Sequence, residues 1–144
     1  MKERVLVVDD DASVRKSLRK VLVDAGYEVA LAADSREAVE HFDGEHVNVV
    51  LLDIGLPVKS GWNAFEHITN KAPVLPIIVI TGQAGQHDMA VAAGVGALME
   101  KPLDVTELLD MIRGLLHESV ETRLLRLCGD APGPRHAPSA EHRI

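Results

Sequence analysis

The chain has 144 residues, 47% of them hydrophobic and 3% aromatic, and its 22 acidic side chains outweigh 15 basic ones to a formal charge of −7. That is one domain's length with apolar material for one packed core. Tyr27, Phe42, Trp62 and Phe65 are too few aromatics for a base-stacking platform, and the acidic balance excludes a binder of phosphate backbones.

Cys128 is the single cysteine, so neither an intramolecular disulfide nor a Cys-x-x-Cys pair is available. No basic leader runs into an apolar stretch, and no apolar run approaches ~18 residues. A soluble, cytoplasmic protein with no membrane contact is the expectation.

Arg4 to Val8 is a β-branched run suited to a strand buried on both faces, and it ends in Asp9, Asp10 and Asp11. From Ser13, apolar residues at Val14, Leu18, Val21, Leu22 and Ala25 recur at helical spacing, with Gly26 as a stop. Tyr27 to Leu31 reads as a second strand, and Ser35 as the N-cap of a helix through Phe42. Val47 to Leu52 is a third strand that runs into Asp53. A loop from Ile54 to Gly61 leads to a helix over Trp62 to Asn70.

Pro76 to Ile80 is the fourth strand, followed by Thr81. A small-residue helix is predicted over 85–94, and Ala97 to Met99 is a short fifth strand leading to Lys101-Pro102. Asp104 and Glu107 form a capping box for a last helix with Leu108, Leu109, Ile112, Leu115 and Leu116 as its stripe. One domain is therefore expected over 1–118. Residues 119–128 read as an extension of the last helix, and 129–144, with Pro132, Pro134 and Pro138, as a disordered tail.

Alternating strands and helices with short connections give an α/β fold, a five-stranded parallel sheet with helices on both faces. Ligands of such sheets collect outside the carboxyl ends of the strands. Asp9, Asp10, Asp53, Thr81 and Lys101 all fall there, from four separate strand ends. Clustered carboxylates repel unless a cation joins them, and oxygen ligands with waters suit Mg²⁺ or Mn²⁺. A carboxylate can attack a phosphoryl group to give an aspartyl-phosphate. Lys101 offers a point charge and Thr81 a hydroxyl donor to the phosphoryl oxygens.

VLVVDDDASVRKSL, VVLLDIGLP, PIIVITG and EKP, in that order, resemble the motifs of the receiver domain of two-component response regulators over about residues 3 to 118. The resemblance implies a doubly wound, flavodoxin-like sheet of order 2-1-3-4-5. It implies Asp53 as phosphoacceptor and Asp10 as direct Mg²⁺ ligand, with Asp9 assisting and the Gly55 carbonyl completing the protein's share. Thr81 would bond a phosphoryl oxygen and start the switch, and Lys101 would pair with the phosphate across a cis Lys101–Pro102 bond. The donor would be a sensor histidine kinase or a histidine phosphotransfer protein, and the output a change in binding to a downstream protein. The responding face would be the one formed by residues 85–94, the fifth strand and the last helix. Such a domain catalyses only its own phosphorylation and dephosphorylation.

Leu98 stands where the family usually has Tyr, Phe or His as the partner of the switching Thr. Gly55 and Gln83 stand where the family tunes hydrolysis, and Gly55 has no side chain to direct water, so a slow loss of the phosphoryl group is expected. Simpler readings accompany these. The three acids can serve as a helix-capping turn, the seven histidines as surface residues and Trp62 as a rim residue. Arg15, Lys16, Arg19 and Lys20 form a basic face, either solvated or docking an acidic partner. Leu124, Leu125 and Leu127 either pack back onto the domain or form a dimerisation helix. Two rival functions are a receiver-like scaffold that works without phosphate and a phosphohydrolase of the haloacid dehalogenase type, with Asp9 as nucleophile and Asp11 as acid/base. The second leaves Asp53 without a role. A dinucleotide-binding domain is excluded, because the first strand–helix turn carries acids where glycines are needed.

Overall fold

The computed structural model describes residues 2–54, 61–82, 97–127 and 135–137. Its strands are β1 (Arg4–Val8), β2 (Glu28–Ala32), β3 (Val49–Asp53), β4 (Ile77–Thr81), β5 (Ala97–Glu100) and β6 (Arg135–Ala137). The helices are α1 (Ala12–Asp24), α2 (Ser35–Gly44), α3 (Gly61–Lys71), α4 (Val105–His117) and α5 (Val120–Leu127). Residues 85–94, expected as a helix, lie outside the described residues.

All strand pairs are parallel, in the order β2-β1-β3-β4-β5-β6. The first five thus stand in the order 2-1-3-4-5. Alternation along each strand explains why both faces are apolar. Leu6, Val8, Val50, Leu52, Ile77, Val79 and Leu98 point to one side, where Ala38 of α2 and Ala64, Phe65 and Ile68 of α3 meet them. Val5, Val7, Val49, Leu51, Ile78, Ile80 and Met99 point to the other, against Leu18 and Leu22 of α1 and Leu108, Ile112 and Leu115 of α4. Each of these leucines is fully buried, which contributes roughly 1.5–3 kcal/mol apiece.

The helix ends follow local chemistry. Asp11 caps α1, its Oδ1 accepting the Ser13 and Val14 amides at 2.8 and 3.4 Å. Asp34, rather than the expected Ser35, caps α2. Asp34 Oδ1 accepts the Glu37 amide at 2.9 Å, while Glu37 Oε1 accepts the Ala33 amide at 2.6 Å. A carboxylate makes the stronger, charge-assisted cap, and Ser35 is left buried in the first turn. The Asp104 cap of α4 has the expected bond, from the Glu107 amide at 2.9 Å. Gly26, with φ of 99°, supplies the left-handed turn that ends the α1 connection.

Two expectations for the C-terminal part are corrected. Residues 119–128 do not prolong α4: Glu118 leaves the helical conformation, and Ser119 Oγ accepts the Thr122 amide at 3.1 Å, starting the separate helix α5. This helix is tied down by Arg123, which donates to the carbonyls of Leu115 at 2.7 Å and Val74 at 3.2 Å. Leu124 and Leu125 do not pack back; both are exposed, as is Val120. The tail is not wholly without structure either. Residues 135–137 form β6, because β5 would otherwise offer an edge of unpaired amides and carbonyls to any extended segment nearby. Among the described residues, no helix is long and apolar enough to cross a membrane.

Candidate functional site

The apolar parity of β1 and β3 aims their last carboxylates into one crevice. The register that pairs Val8 with Leu52 sets Asp9 and Asp53 side by side, each one residue past a fully apolar run. β4 brings Thr81 to the same end, and β5 ends at Glu100, opposite Thr81, with Lys101 next in the chain. The Lys101 amide donates to the Thr81 carbonyl at 2.8 Å, which fixes where the lysine leaves the sheet. The Lys101–Pro102 peptide is cis.

Asp9, Asp53 and Thr81 are buried, whereas Asp10 is exposed. Carboxylate oxygens of Asp9, Asp10 and Asp53 lie within 4.8 Å of one another. Lys101 Nζ donates to Asp53 Oδ2 at 2.9 Å and stands 2.9 Å from Asp9 Oδ2. The other Asp9 oxygen, Oδ1, accepts the Asp11 amide at 2.9 Å, and Arg15 Nη1 donates to the Asp9 carbonyl at 2.7 Å.

Burial pushes the Asp9 carboxyl above the usual carboxylate range. Lys101 and the Asp11 amide oppose that rise, and the charge of Asp53 adds to it. Burial alone would lower the Lys101 ammonium, but the facing carboxylates of Asp9 and Asp53 outweigh it and hold the pKa above the ordinary lysine value.

Among the described residues, the Lys101 ammonium thus stands between the carboxylates of Asp9 and Asp53, with that of Asp10 beside them. Asp9 Oδ2 is buried without an aligned hydrogen-bond donor, although the Lys101 charge faces it. A buried, unbonded carboxylate oxygen beside two further carboxylates is the donor chemistry of a hard divalent cation, so these residues fit Mg²⁺ or Mn²⁺.

Of the residues expected at the site, Asp9, Asp10, Asp53, Thr81 and Lys101 are assembled at the strand ends. Gly55 and Gln83 lie outside the described residues. Leu98 is buried among the side chains on the α2–α3 side of the sheet. Of the histidines with described side chains, none is buried, and His67 and His41 pair with Asp43 and Glu45 at 3.0 and 2.9 Å. Trp62 has no described side chain. Asp11, the acid/base of the hydrolase reading, spends its carboxylate capping α1. Sequence reasoning missed Arg15 as a support of the Asp9 backbone; its place one turn into α1 was the available signal.

The family model for the response regulator receiver domain matches residues 5–113. Response regulator MprA of Mycolicibacterium vanbaalenii is 36% identical over 121 residues, which are 83% of this chain and 52% of that protein. The probable transcriptional regulator ycf27 of Porphyridium aerugineum is 37% identical over 117 residues, 80% of this chain and 48% of that protein. This chain therefore spans about half the length of these curated relatives.

Among solved structures, a CheY-like receiver domain protein from Methanospirillum hungatei superposes with a TM-score of 0.76 at 32% identity, covering 81% of this chain and 94% of that one. TrrA of Thermotoga maritima, solved in complex with Mg(2+)-BeF, gives 0.73 at 28% identity, covering 78% and 98%. The strand order, the acidic crevice and these matches together place the chain in the response regulator receiver domain family. Receivers are a family of signalling domains rather than conventional enzymes, and they generally hold Mg²⁺ through acidic residues. The hydrolase reading is set aside.

Proposed function

We propose that this receiver takes a phosphoryl group onto Asp53 from a phosphohistidine of a sensor histidine kinase or a histidine phosphotransfer protein. An Asp53 carboxylate oxygen attacks phosphorus, a P–O bond forms, and the P–N bond to the donor imidazole breaks. The observation that carries the reading is the cluster itself, three carboxylates within 4.8 Å and Lys101 Nζ at 2.9 Å from Asp53.

Asp9 and Asp10, with Asp53 and the Gly55 carbonyl, would hold Mg²⁺, which when bound offsets the repulsion between acceptor and phosphoryl group. Lys101 meets charge on the transferred oxygens, and Thr81 donates to one of them. Movement of Thr81 would act on the neighbouring core around Leu98. A branched aliphatic there gives a packing signal rather than a ring flip, and shifts a pre-existing equilibrium of partner affinity. Gly55 and Gln83 set the rate of loss, with slow hydrolysis expected: a lifetime of seconds at neutral pH, unchanged in Gln83→Ala, would overturn that part.

The test is intact mass after incubation with acetyl phosphate and Mg²⁺, beside Asp53→Asn and a Mg²⁺-free control. One phosphoryl adduct that needs both Mg²⁺ and Asp53 is the expected result. No adduct would favour the phosphate-independent scaffold, and one that persists in Asp53→Asn would place the acceptor on another side chain, with Asp9 the first to examine.

A further inference from the structure

β6 differs from every other strand of the sheet. The first five are apolar runs, whereas β6 reads Arg-His-Ala and is bracketed by Pro134 and Pro138. Its own sequence gives little reason for a strand, so the template is the edge of β5. The pairing is parallel, with Ala97 opposite Arg135, Leu98 opposite His136 and Met99 opposite Ala137. Among the described residues the ladder spans these three, and the flanking prolines have no amide to add to it. A contact so short is readily exchanged for a longer one.

The edge it covers matters. β5 carries Leu98, runs directly into Lys101, and is locked to β4 by the pairing of Glu100 with Thr81. Occupation of this edge therefore bears on the strand that joins the acidic crevice to the core.

We propose that the β5 edge is a strand-addition site for an extended parallel segment, and that residues 135–137 of this chain are its resident, displaceable occupant. Backbone pairing supplies the affinity in such a site, and the resident segment gains from being tethered. A partner protein presenting an extended segment must first displace β6, so the tail holds the edge closed. The regulatory sense of this contact rests on the phosphoacceptor reading, while the contact itself does not.

Hydrogen exchange of the full chain, without phosphodonor, tests it. Alternate amides of a strand face its neighbour, so His136→Pro and Ala137→Pro are both made; one of them must remove a donor aimed at β5. In that variant, exchange at residues 97–100 rises about tenfold or more, while β3 and β4 stay protected. Excess synthetic peptide of residues 133–139 restores the protection, and the same peptide with proline at position 136 or 137, matching the effective variant, does not. Unchanged exchange at β5 in both variants overturns the proposal. So does protection that grows with protein concentration, which would make a second copy the occupant. Intact mass after acetyl phosphate treatment of the same samples separates the two readings. An unlabelled Asp53 with released β5 sinks only the phosphoacceptor reading; a labelled Asp53 with unchanged β5 sinks only this one.

Discussion

Lys101 Nζ stands 2.9 Å from Asp9 Oδ2, and Lys71 Nζ stands 3.2 Å from Asp43 Oδ1, where His67 Nε2 joins at 3.0 Å. Each aspartate has a cationic partner at hydrogen-bond range, yet their carboxyls shift in opposite directions. Asp43, on the surface between α2 and α3, is pulled below the ordinary value by its bonds to His67 and Lys71. Asp9, 1% exposed at the end of β1, is pushed above it by burial, and Lys101 does not fully compensate. Contact length is the same to a few tenths of an ångström; solvation is what differs. The surface cluster pairs its carboxylate with two cationic partners, whereas among the described residues the crevice sets the carboxylates of Asp9, Asp10 and Asp53 around Lys101, a condition that favours a bound cation.

Breaking the crevice has the largest expected effect. Lys101→Met leaves two buried carboxylates without their ammonium, and a loss of about 3 kcal/mol, the low end for a broken buried pair, is expected in Mg²⁺-free urea unfolding. Adding Mg²⁺ restores part of it. The rate of phosphoryl incorporation from acetyl phosphate falls on the order of 100-fold, as when one charge-stabilising donor is removed. A variant as stable as the parent without Mg²⁺ would show that Lys101 does not hold the crevice together.

Asp9→Asn sharpens the comparison from the other side. It removes a carboxylate that burial disfavours, so at neutral pH without Mg²⁺ the melting temperature rises by roughly a few degrees. With Mg²⁺ at ten times its dissociation constant the parent gains about 1.4 kcal/mol, and the variant gains less because it has lost a ligand. Thermal unfolding with and without Mg²⁺ checks both signs; a variant that melts lower without Mg²⁺, or that gains as much from Mg²⁺ as the parent, contradicts the electrostatic account.

The smallest effect belongs to the surface cluster. Asp43→Asn shifts the melting temperature by no more than about a degree, because exposed ion pairs are screened and mobile. A lowered carboxyl pKa contributes stability that is present above the unfolded value and is lost as pH falls through the folded one. The variant should therefore differ from the parent most at neutral pH, converge with it in acid, and do so at any pH in 0.5 M salt (about 4 Å of screening length).

Much of this was legible in the sequence for identifiable reasons. Runs such as RVLVV, VVLL and PIIVI fix strands buried on both faces, and an acid ending such a run has nowhere to go but the strand-end crevice. Asp9, Asp10, Asp53, Thr81 and Lys101 were found in that way, and the structure brings them together. Other features were not legible. Asp34 and Ser35 are both good caps, and only the backbone geometry chooses between them. Ser119 reads as an ordinary helical residue until its hydroxyl is seen to start α5. Arg123 shows nothing in the sequence of the two carbonyls, at Val74 and Leu115, that it ties together.

Residue type and order determined which segments are strands, which helices cover them and which polar residues share the carboxyl end of the sheet, since alternation and helical spacing are local properties. The tertiary structure alone decided how charge is balanced there. Whether an aspartate beside a lysine is satisfied, as Asp43 is, or pushed up by burial, as Asp9 is, depends on how much water the surrounding elements exclude. It also decided that Arg135–Ala137 lies along β5, because a segment with no strand pattern of its own takes its conformation from the unpaired edge it meets.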